Sequence, residues 1–270
     1  MEQRNYQMTL AFRGTGYHGF QVQRNAPSVC QVFQDGVEAA FGARYPVKGC
    51  SRTDAGVHAG GFVLTMSCPL DLSCDTMVKA LNVRLPGDMA VLDCRLAPPD
   101  FHPRYDCLGK RYLYKIWNGP VKHPFLEDLA LFHRYPIREE LADRAAGAFV
   151  GRRDFSALCA AGGKVEDRVR TVYRCGVTRQ GDLVTLSVTG DGFLYNMVRI
   201  LAGTVLEVCR GRMTPEDIPP MLDRLDRSGA GMTLPPHGLY LDRVYYDPAE
   251  LTRDCPGWEE VARRGTDHPV

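Results

Sequence analysis

The sequence predicts an α+β fold in which two halves share a mostly antiparallel sheet. Strand and helix signals alternate over the first hundred residues, and a hairpin pattern follows later in the chain. The Pro-rich segment Pro98–Pro103 separates these two regions. A chain of 270 residues is long enough for one large or two small domains. We therefore divide it into a first half at 1–103, a second half at 104–247 and an acidic tail at 248–270, and expect the functional site in the groove between the halves.

The first half has the pattern β-α-β-α-β. Ser28 is a suitable N-cap for a helix whose apolar residues recur at helical spacing until Gly42, and Ser73 is a suitable N-cap for a second helix to about Arg84. A polar, glycine-containing loop at Ser51–Gly60 separates two of the strands. The expected strands are Tyr6–Phe12, Lys48–Cys50, Phe62–Met66 and Met89–Leu96.

The second half combines alternating strands with helices. Gln180, Gly181 and Asp182 can form the turn of a hairpin, and Thr214 followed by Pro215 is typical of a helix N-terminus. The expected strands are Arg111–Trp117, Arg168–Thr178, Leu183–Thr189 and Gly238–Tyr246. The expected helices are Ile137–Val150, a largely apolar one at Phe193–Cys209, and one from Thr214 to about Arg227.

Composition and motifs exclude several classes of protein. The N-terminus, Met1–Arg13, lacks a signal-peptide pattern, and no run approaches the roughly 18 apolar residues of a membrane span. Ten cysteines without a C-x-x-C pair indicate reduced thiols, so we expect a cytoplasmic protein. There is no H-E-x-x-H motif, and we expect neither a metal nor any other cofactor.

The formal net charge is +1, but the charges are unevenly distributed. Basic residues are concentrated in Phe101–Lys122 and Arg152–Arg179, whereas the tail from Asp247 onward is acidic. This pattern fits a basic surface for nucleic acid, and it fits solvated strand and helix faces equally well.

The segment from Gly49 to Ala59 is the densest candidate for chemistry, because Arg52, Asp54 and His58 follow one another in a loop between two strands. An aspartate is a carboxylate at neutral pH, so Asp54 can serve as a nucleophile or a general base. The alternative is that Thr53 and Asp54 only hold a turn through bonds from their side chains to the backbone.

Two further segments carry candidate residues. Alternation along Lys110–Tyr114 places Tyr112 and Tyr114 on one strand face, which suits either base stacking beside cations or a buried aromatic face. Arg199 interrupts the apolar helix and needs a carboxylate partner if it is buried. Asp54 is an available partner, and the alternative is that Arg199 extends to solvent.

Together these segments resemble the bacterial tRNA pseudouridine synthase A family. The resemblance runs from Thr9 to about Tyr246 and rests on a series of motifs in family order rather than on one. The motifs are Gly14–Gln23, Arg52–Ala59, Leu85–Asp88, Phe101–Arg104, Asp154–Ser156, Phe193–Leu194 with Met197–Arg199, and Gly238–Leu241.

The resemblance implies two ferredoxin-like, RRM-like halves with an active-site cleft between them, and a cofactor-independent isomerase. Asp54 matches the catalytic aspartate, Tyr112 the tyrosine that stacks on the target uracil, and Arg199 the arginine paired with the aspartate. Leu239 matches an apolar residue beside the base, Arg52 matches an arginine that displaces the target from its stack, and we also assign His58 to substrate binding. The implied substrate is tRNA at uridines 38 to 40 of the anticodon stem-loop, bound by a homodimer.

Two alternatives from other classes remain open. The protein could bind or fold RNA without catalysis, with Asp54 supporting the loop only. It could also be another aspartate-dependent enzyme, although the sequence contains no D-x-D-x-T, Walker A or G-x-S-x-G motif.

Overall fold

The computed structural model describes residues 3–163 and 165–263. Contacts divide the chain into two compact units. Unit 1 comprises the residues up to Cys107 together with Tyr240–Val244, and unit 2 comprises Leu108–Leu239 and the residues from Tyr245 onward. The short segment Tyr240–Val244 thus returns to unit 1, whereas the division by sequence places it in the second half.

The strands are β1 Arg4–Phe12, β2 Val47–Gly49, β3 His58–Cys68, β4 Met89–Ala97, β5 Gly109–Trp117, β6 Leu131–Phe132, β7 Gly151–Asp154, β8 Val169–Gln180, β9 Leu183–Gly190 and β10 Leu239–Tyr245. The helices are α1 Val29–Phe41, α2 Cys74–Asn82, α3 Glu139–Gly147, α4 Met197–Cys209, α5 Ile218–Asp223, α6 Pro248–Asp254 and α7 Trp258–Arg263.

Unit 1 is a mostly antiparallel sheet with two helices. Its strands lie in the order β4-β1-β3-β10, with β2 on the far part of β3. Pairing is antiparallel for β1 with β3 and β4, and parallel where Tyr240 and Leu241 of β10 lie beside His58 and Ala59 of β3. Buried side chains of β1 and β3 form the core of the unit. This arrangement brings the start of β3 next to the start of β10.

The predicted first helix is confirmed at both ends. The Ser28 hydroxyl accepts a hydrogen bond from Gln31 N at 3.3 Å, and Gly42 ends the helix with φ 76°. The positive φ favours glycine because a side chain is strained there. Local sequence therefore determines the limits of α1.

Unit 2 is an antiparallel sheet of β5, β9, β8 and β7 in that order, with β6 parallel to β5. The predicted hairpin is confirmed as β8 and β9, which pair from Gln180 and Leu183 onward. Helix α4 is buried along most of its length. Together the two units confirm the predicted α+β class with mostly antiparallel sheets.

Helix α4 begins later than the sequence predicts. Apolar residues continue from Phe193, but Asn196 has φ 60°, and the helix starts after it at Met197. A left-handed residue cannot continue a right-handed helix, and asparagine tolerates this conformation better than most residues. The strands β6 and β7 were not predicted, because two to four residues carry no readable periodicity.

The residues assigned to an acidic tail form α6 and α7 as far as Arg263, and 264–270 lie outside the described residues. Leu251 and Cys255 are buried with Tyr173 and Tyr245. The Asp254 carboxylate accepts bonds from Arg111 Nη1 at 3.0 Å and from the Tyr245 hydroxyl at 2.8 Å. Part of the predicted basic surface is therefore neutralised by this segment.

Of the helices in the described residues, none has the length and apolar character needed to cross a membrane.

Candidate active site

The loop that carries Asp54 connects β2 to β3 in unit 1. Cys50 N donates to Val63 O at 2.9 Å, so the loop departs from a paired strand, and it rejoins the sheet at His58. Within it, Asp54 is half-buried and Arg52 is exposed. The loop thus presents a carboxylate and a guanidinium two residues apart.

Main-chain hydrogen bonds hold this loop on both sides of Asp54. Phe20 N donates to Thr53 O at 3.3 Å, and Gly56 N donates to Tyr17 O at 3.0 Å. A turn is closed by Val57 N donating to Asp54 O at 3.3 Å. The backbone around the carboxylate is therefore anchored to the segment that contains Tyr17 and Phe20.

Two glycines permit this close approach. A Cβ atom on Gly14 would lie 2.0 Å from Val57 O, and one on Gly19 would lie 2.3 Å from Thr53 O. Gly19 also has φ 79°. Any side chain at either position would push the Asp54 loop away from its support.

His58, at the end of the same loop, supports it through its side chain. The residue is 1% exposed, its Nδ1 accepts a hydrogen bond from Gly14 N at 3.0 Å, and its ring stacks on Tyr240 at 4.7 Å between centroids. The sequence predicts His58 in a loop, but it is the first residue of β3. Pairing with β10 extends the strand to that point, and no periodicity signals such pairing.

The alternative role proposed for Thr53 is not supported. Across residues 3–163 and 165–263, no hydrogen-bond partner reaches the buried Thr53 Oγ1. The turn that contains Asp54 is held by backbone groups instead. Bracing by the Thr53 side chain is therefore not the reason for this loop's shape.

In unit 2, Tyr112 and Tyr114 share the buried face of β5, as alternation predicts. Tyr112 is 7% exposed and meets Phe193 edge-on at 5.2 Å. Tyr114 is fully buried and donates to Pro235 O at 2.8 Å, and burial raises the pKa of its phenol far above the ordinary value. Tyr114 is thus a neutral core residue.

Arg199 lies in the first turn of α4. Its Nε donates to Leu234 O at 2.6 Å, and its Nη1 donates to Asn196 Oδ1 at 2.6 Å. A cation in the first turn is opposed by the helix dipole, which favours anions there. The guanidinium is therefore oriented by fixed acceptors in an electrostatically unfavourable place, rather than extended freely into solvent.

Leu239 begins β10 and is 6% exposed. A Cβ atom on the preceding Gly238 would lie 2.8 Å from the Tyr114 ring, so glycine allows this segment to pack on β5. Because Leu234 and Pro235 bind Arg199 and Tyr114, the segment leading to Leu239 connects both residues. Unit 2 therefore gathers Arg199, Tyr114 and Leu239.

Asn196 contacts a candidate site residue, and its part was not predicted from the sequence. Its left-handed backbone places it at the N-terminus of α4, and its side chain holds the Arg199 guanidinium. A signal existed, since an asparagine three residues before an arginine at the start of an apolar helix can both end a turn and bind the cation.

In the described part of the chain, no group of three or more His, Cys, Asp or Glu side chains is arranged to hold a metal ion. All ten cysteines lie in that part, and none forms a disulfide.

Comparisons with known proteins assign the chain to a family. A family model described as tRNA pseudouridine synthase matches residues 8–106 and 145–247. The chain is 38% identical over 244 residues to tRNA pseudouridine synthase A of Ruminiclostridium cellulolyticum, covering 90% of this chain and 100% of the relative. It is 40% identical over 239 residues to that of Geobacillus kaustophilus, covering 88% and 93%. It is 36% identical over 245 residues to that of Staphylococcus aureus, and the match covers 91% of this chain and 93% of the relative. On the strength of the matched regions and these identities, the chain belongs to the tRNA pseudouridine synthase family.

Proposed function

We propose that the protein converts uridine to pseudouridine at positions 38, 39 and 40 of the tRNA anticodon stem-loop, with Asp54 as the catalytic carboxylate. One observation carries the assignment of Asp54. Asp54 is half-buried on a loop whose backbone is hydrogen-bonded on both sides, so the main chain that carries the reactive group is held in place. A fixed position is what a group acting in a transition state requires.

The reaction is an isomerisation. The bond from uracil N1 to the sugar C1′ breaks, a bond from C5 to C1′ forms, C5 loses a proton and N1 gains one. No electrons are exchanged with another reactant, and we propose that neither a metal nor an organic cofactor takes part.

Asp54 can act in three ways. It can attack the uracil ring, attack C1′ of the sugar, or remove the sugar proton whose loss forms a glycal. In each case the base must then turn within the site before C5 reacts. A second group removes the C5 proton, and Tyr112 is our candidate for that base.

The target nucleotide must leave its helical stack to reach Asp54, at a cost of a few kcal/mol. We assign stacking on the extruded uracil to Tyr112, packing beside it to Leu239, and displacement of the nucleotide to the exposed Arg52. Phe193 fixes the plane of the Tyr112 ring through its edge-on contact. Stacking contributes about 1–3 kcal/mol per base and so offsets much of the extrusion cost.

We assign Arg199 as the partner that orients Asp54 and keeps it ionised. Support comes from the hydrogen bonds to Asn196 and Leu234, which fix the guanidinium where the helix dipole opposes it. His58 stays in the proposed substrate-binding set through its loop. Its contacts with Gly14 and Tyr240 favour an indirect effect, in which it positions the backbone next to Asp54.

The remaining proposals concern organisation. We propose that the active site lies in the groove between the two halves at 1–103 and 104–247, with 248–270 as an accessory tail. We also propose a homodimer in which one tRNA reaches across both subunits. A cytoplasmic location fits a tRNA substrate and ten cysteines without a disulfide.

The test is to incubate the purified protein with unmodified tRNA carrying uridine in the anticodon arm, and to map pseudouridine at single-nucleotide resolution. Product at positions 38 to 40 is expected from the wild type and none from Asp54→Asn, which is almost the same size. The variant should keep its tRNA affinity. If the wild type binds tRNA without forming product, the protein is an RNA-binding protein and Asp54 supports the loop. If Asp54→Asn loses binding as well as turnover, its role is structural.

A further inference from the structure

We propose that Tyr135, Arg134 and Arg210 form a second RNA contact, the Tyr135 platform, which takes an unstacked base of the tRNA and an adjoining phosphate. The inference rests on tRNA being the substrate, and it assigns a contact outside the residues proposed above. All three residues belong to unit 2.

The platform combines an exposed ring with two cations. Tyr135 is 54% exposed. The guanidinium carbon of Arg134 lies 5.3 Å from the ring centroid, and that of Arg210 lies 6.0 Å from it. Proteins bind single-stranded nucleic acid by stacking bases on aromatic rings while nearby cations contact the phosphates. The arrangement provides both groups at one place.

The Tyr135 ring belongs to the segment His133–Ile137, whose backbone is held by hydrogen bonds to the Asn118 side chain. The Asn118 side-chain amide donates to His133 O at 2.6 Å and to Tyr135 O at 2.8 Å. Its Oδ1 accepts from Ile137 N at 3.2 Å and from Arg179 Nη2 at 2.8 Å. These bonds use the backbone of the segment and not the Tyr135 ring, which His133 meets edge-on at 5.7 Å between centroids. A platform fixed in advance loses little conformational entropy when a base stacks on it.

The local charge is positive. Arg210 Nη1 and Arg212 Nη1 each lie 3.0 Å from an oxygen of the same carboxylate, Glu207. One carboxylate therefore faces two guanidinium groups, and Arg134 adds a third. The dipole of α4 accounts for a cation at its C-terminus, but it does not account for an exposed aromatic ring within 6.0 Å of the Arg210 guanidinium.

The platform is distinct from the place proposed for the target uracil. His133 N donates to Trp117 O at 2.9 Å, so the segment lies at the Trp117 end of β5. Tyr112 lies five residues earlier on that strand, about 17 Å away at about 3.3 Å per residue. A base on Tyr135 is therefore a different nucleotide from a base on Tyr112. Tyr135 also falls between the two stretches that the family model matches, 8–106 and 145–247.

The central test compares Tyr135→Leu with Tyr135→Phe by equilibrium binding of unmodified tRNA at fixed salt. The leucine variant removes the aromatic face, and its Kd should rise at least about fivefold, the equivalent of about 1 kcal/mol of stacking. The phenylalanine variant keeps the face and should bind like the wild type. Because the ring is half exposed, both variants should unfold at the wild-type temperature, which is measured in parallel.

Three RNAs locate the bound base: the full tRNA, the isolated anticodon stem-loop, and a fully paired duplex. If the leucine variant loses affinity for the first two, the base lies in the anticodon loop. If it loses affinity for the full tRNA alone, the base lies elsewhere in the tRNA. Both results support the platform. Duplex binding should not change, since a duplex offers no unstacked base, and an equal loss on the duplex would overturn the proposal.

The phosphate contact is tested by salt dependence. Arg134→Gln should reduce the slope of log K against log salt by about 1. The matched control is Arg44→Gln, because Arg44 binds the carboxylates of Asp35 and Glu38 and lies in unit 1. Its slope should stay at the wild-type value. Equal slopes for Arg134→Gln and the wild type would overturn the phosphate contact.

Turnover separates this inference from the proposed function. At saturating tRNA the leucine variant should reach the wild-type kcat and modify the same positions. If neither the wild type nor the Tyr135 variants form pseudouridine while Tyr135→Leu still loses affinity for tRNA, the proposed function fails and the platform stands. If pseudouridine forms normally and Tyr135→Leu binds tRNA like the wild type, the platform is refuted and the proposed function stands.

Discussion

In unit 1 the loop that carries Asp54 is positioned through its backbone, whereas in unit 2 Arg199 is positioned through its own side chain. The loop bonds to Phe20 and Tyr17 by main-chain groups, and glycines at positions 14 and 19 allow the contact. Arg199 instead donates from two guanidinium nitrogens to fixed acceptors.

This difference determines where each region is sensitive to substitution. Around Asp54, the most vulnerable positions are glycines that carry no functional group and lie far from it in sequence. Around Arg199, the vulnerable positions are the side chain itself and Asn196, which binds it. Substitutions at Gly14, Arg199, Asn196 and His58 test this contrast.

The largest effect is expected from Gly14→Ala, which disrupts the packing of the Asp54 loop against its backbone support in unit 1. The added Cβ would lie 2.0 Å from Val57 O, so the loop must move. We expect pseudouridine formation to fall about 100-fold in kcat/KM, the cost of a displacement of about 1 Å at a catalytic group. Gly16→Ala is the control, since no heavy atom lies within 4 Å of a Cβ there. Equal activity of the two variants would show that the loop is not held through Gly14.

A smaller loss is expected from Arg199→Lys, which keeps the charge in unit 2 but removes the planar fork. A lysine ammonium cannot reproduce the two bonds made by Nε and Nη1. We expect kcat to fall about 10-fold or more while the Kd for tRNA stays within a factor of two. Asn196→Gly keeps the left-handed backbone and removes one of the bonds, so it should show the same change to a lesser degree. Wild-type kcat in the lysine variant would mean that charge alone is sufficient.

The smallest effect is expected from His58→Phe, which keeps the ring against Tyr240 but removes the Nδ1 acceptor. Gly14 N then loses its partner, and an unsatisfied buried donor costs about 1–3 kcal/mol. We expect the free energy of unfolding in urea to fall by that amount, with a loss of activity of only a few fold. The exposed His18 provides the control, and His18→Phe should change stability by less than about 0.5 kcal/mol. If His58→Phe is as stable as the wild type, the bond to Gly14 does not support the loop.

Several features of the fold followed from local sequence. The limits of α1 were predicted because a capping serine and a C-terminal glycine act on their own helix. The hairpin of β8 and β9 and the shared face of Tyr112 and Tyr114 were predicted because alternation repeats every two residues. The predicted start of α4 at Phe193 was wrong, because apolar spacing does not reveal the left-handed backbone of Asn196.

The chemistry of the candidate residues was readable from the chain, since residue type and motif order do not depend on folding. A carboxylate at position 54, a guanidinium at 199 and an aromatic ring at 112 follow from the sequence and from its resemblance to the family. Their supports were not readable. The bond from Gly14 to His58 spans 44 residues, and the one from Arg199 to Leu234 spans 35. Such contacts exist only once the strands have paired and the helix has packed, because a single sequence records which groups are present and not which distant backbone they meet.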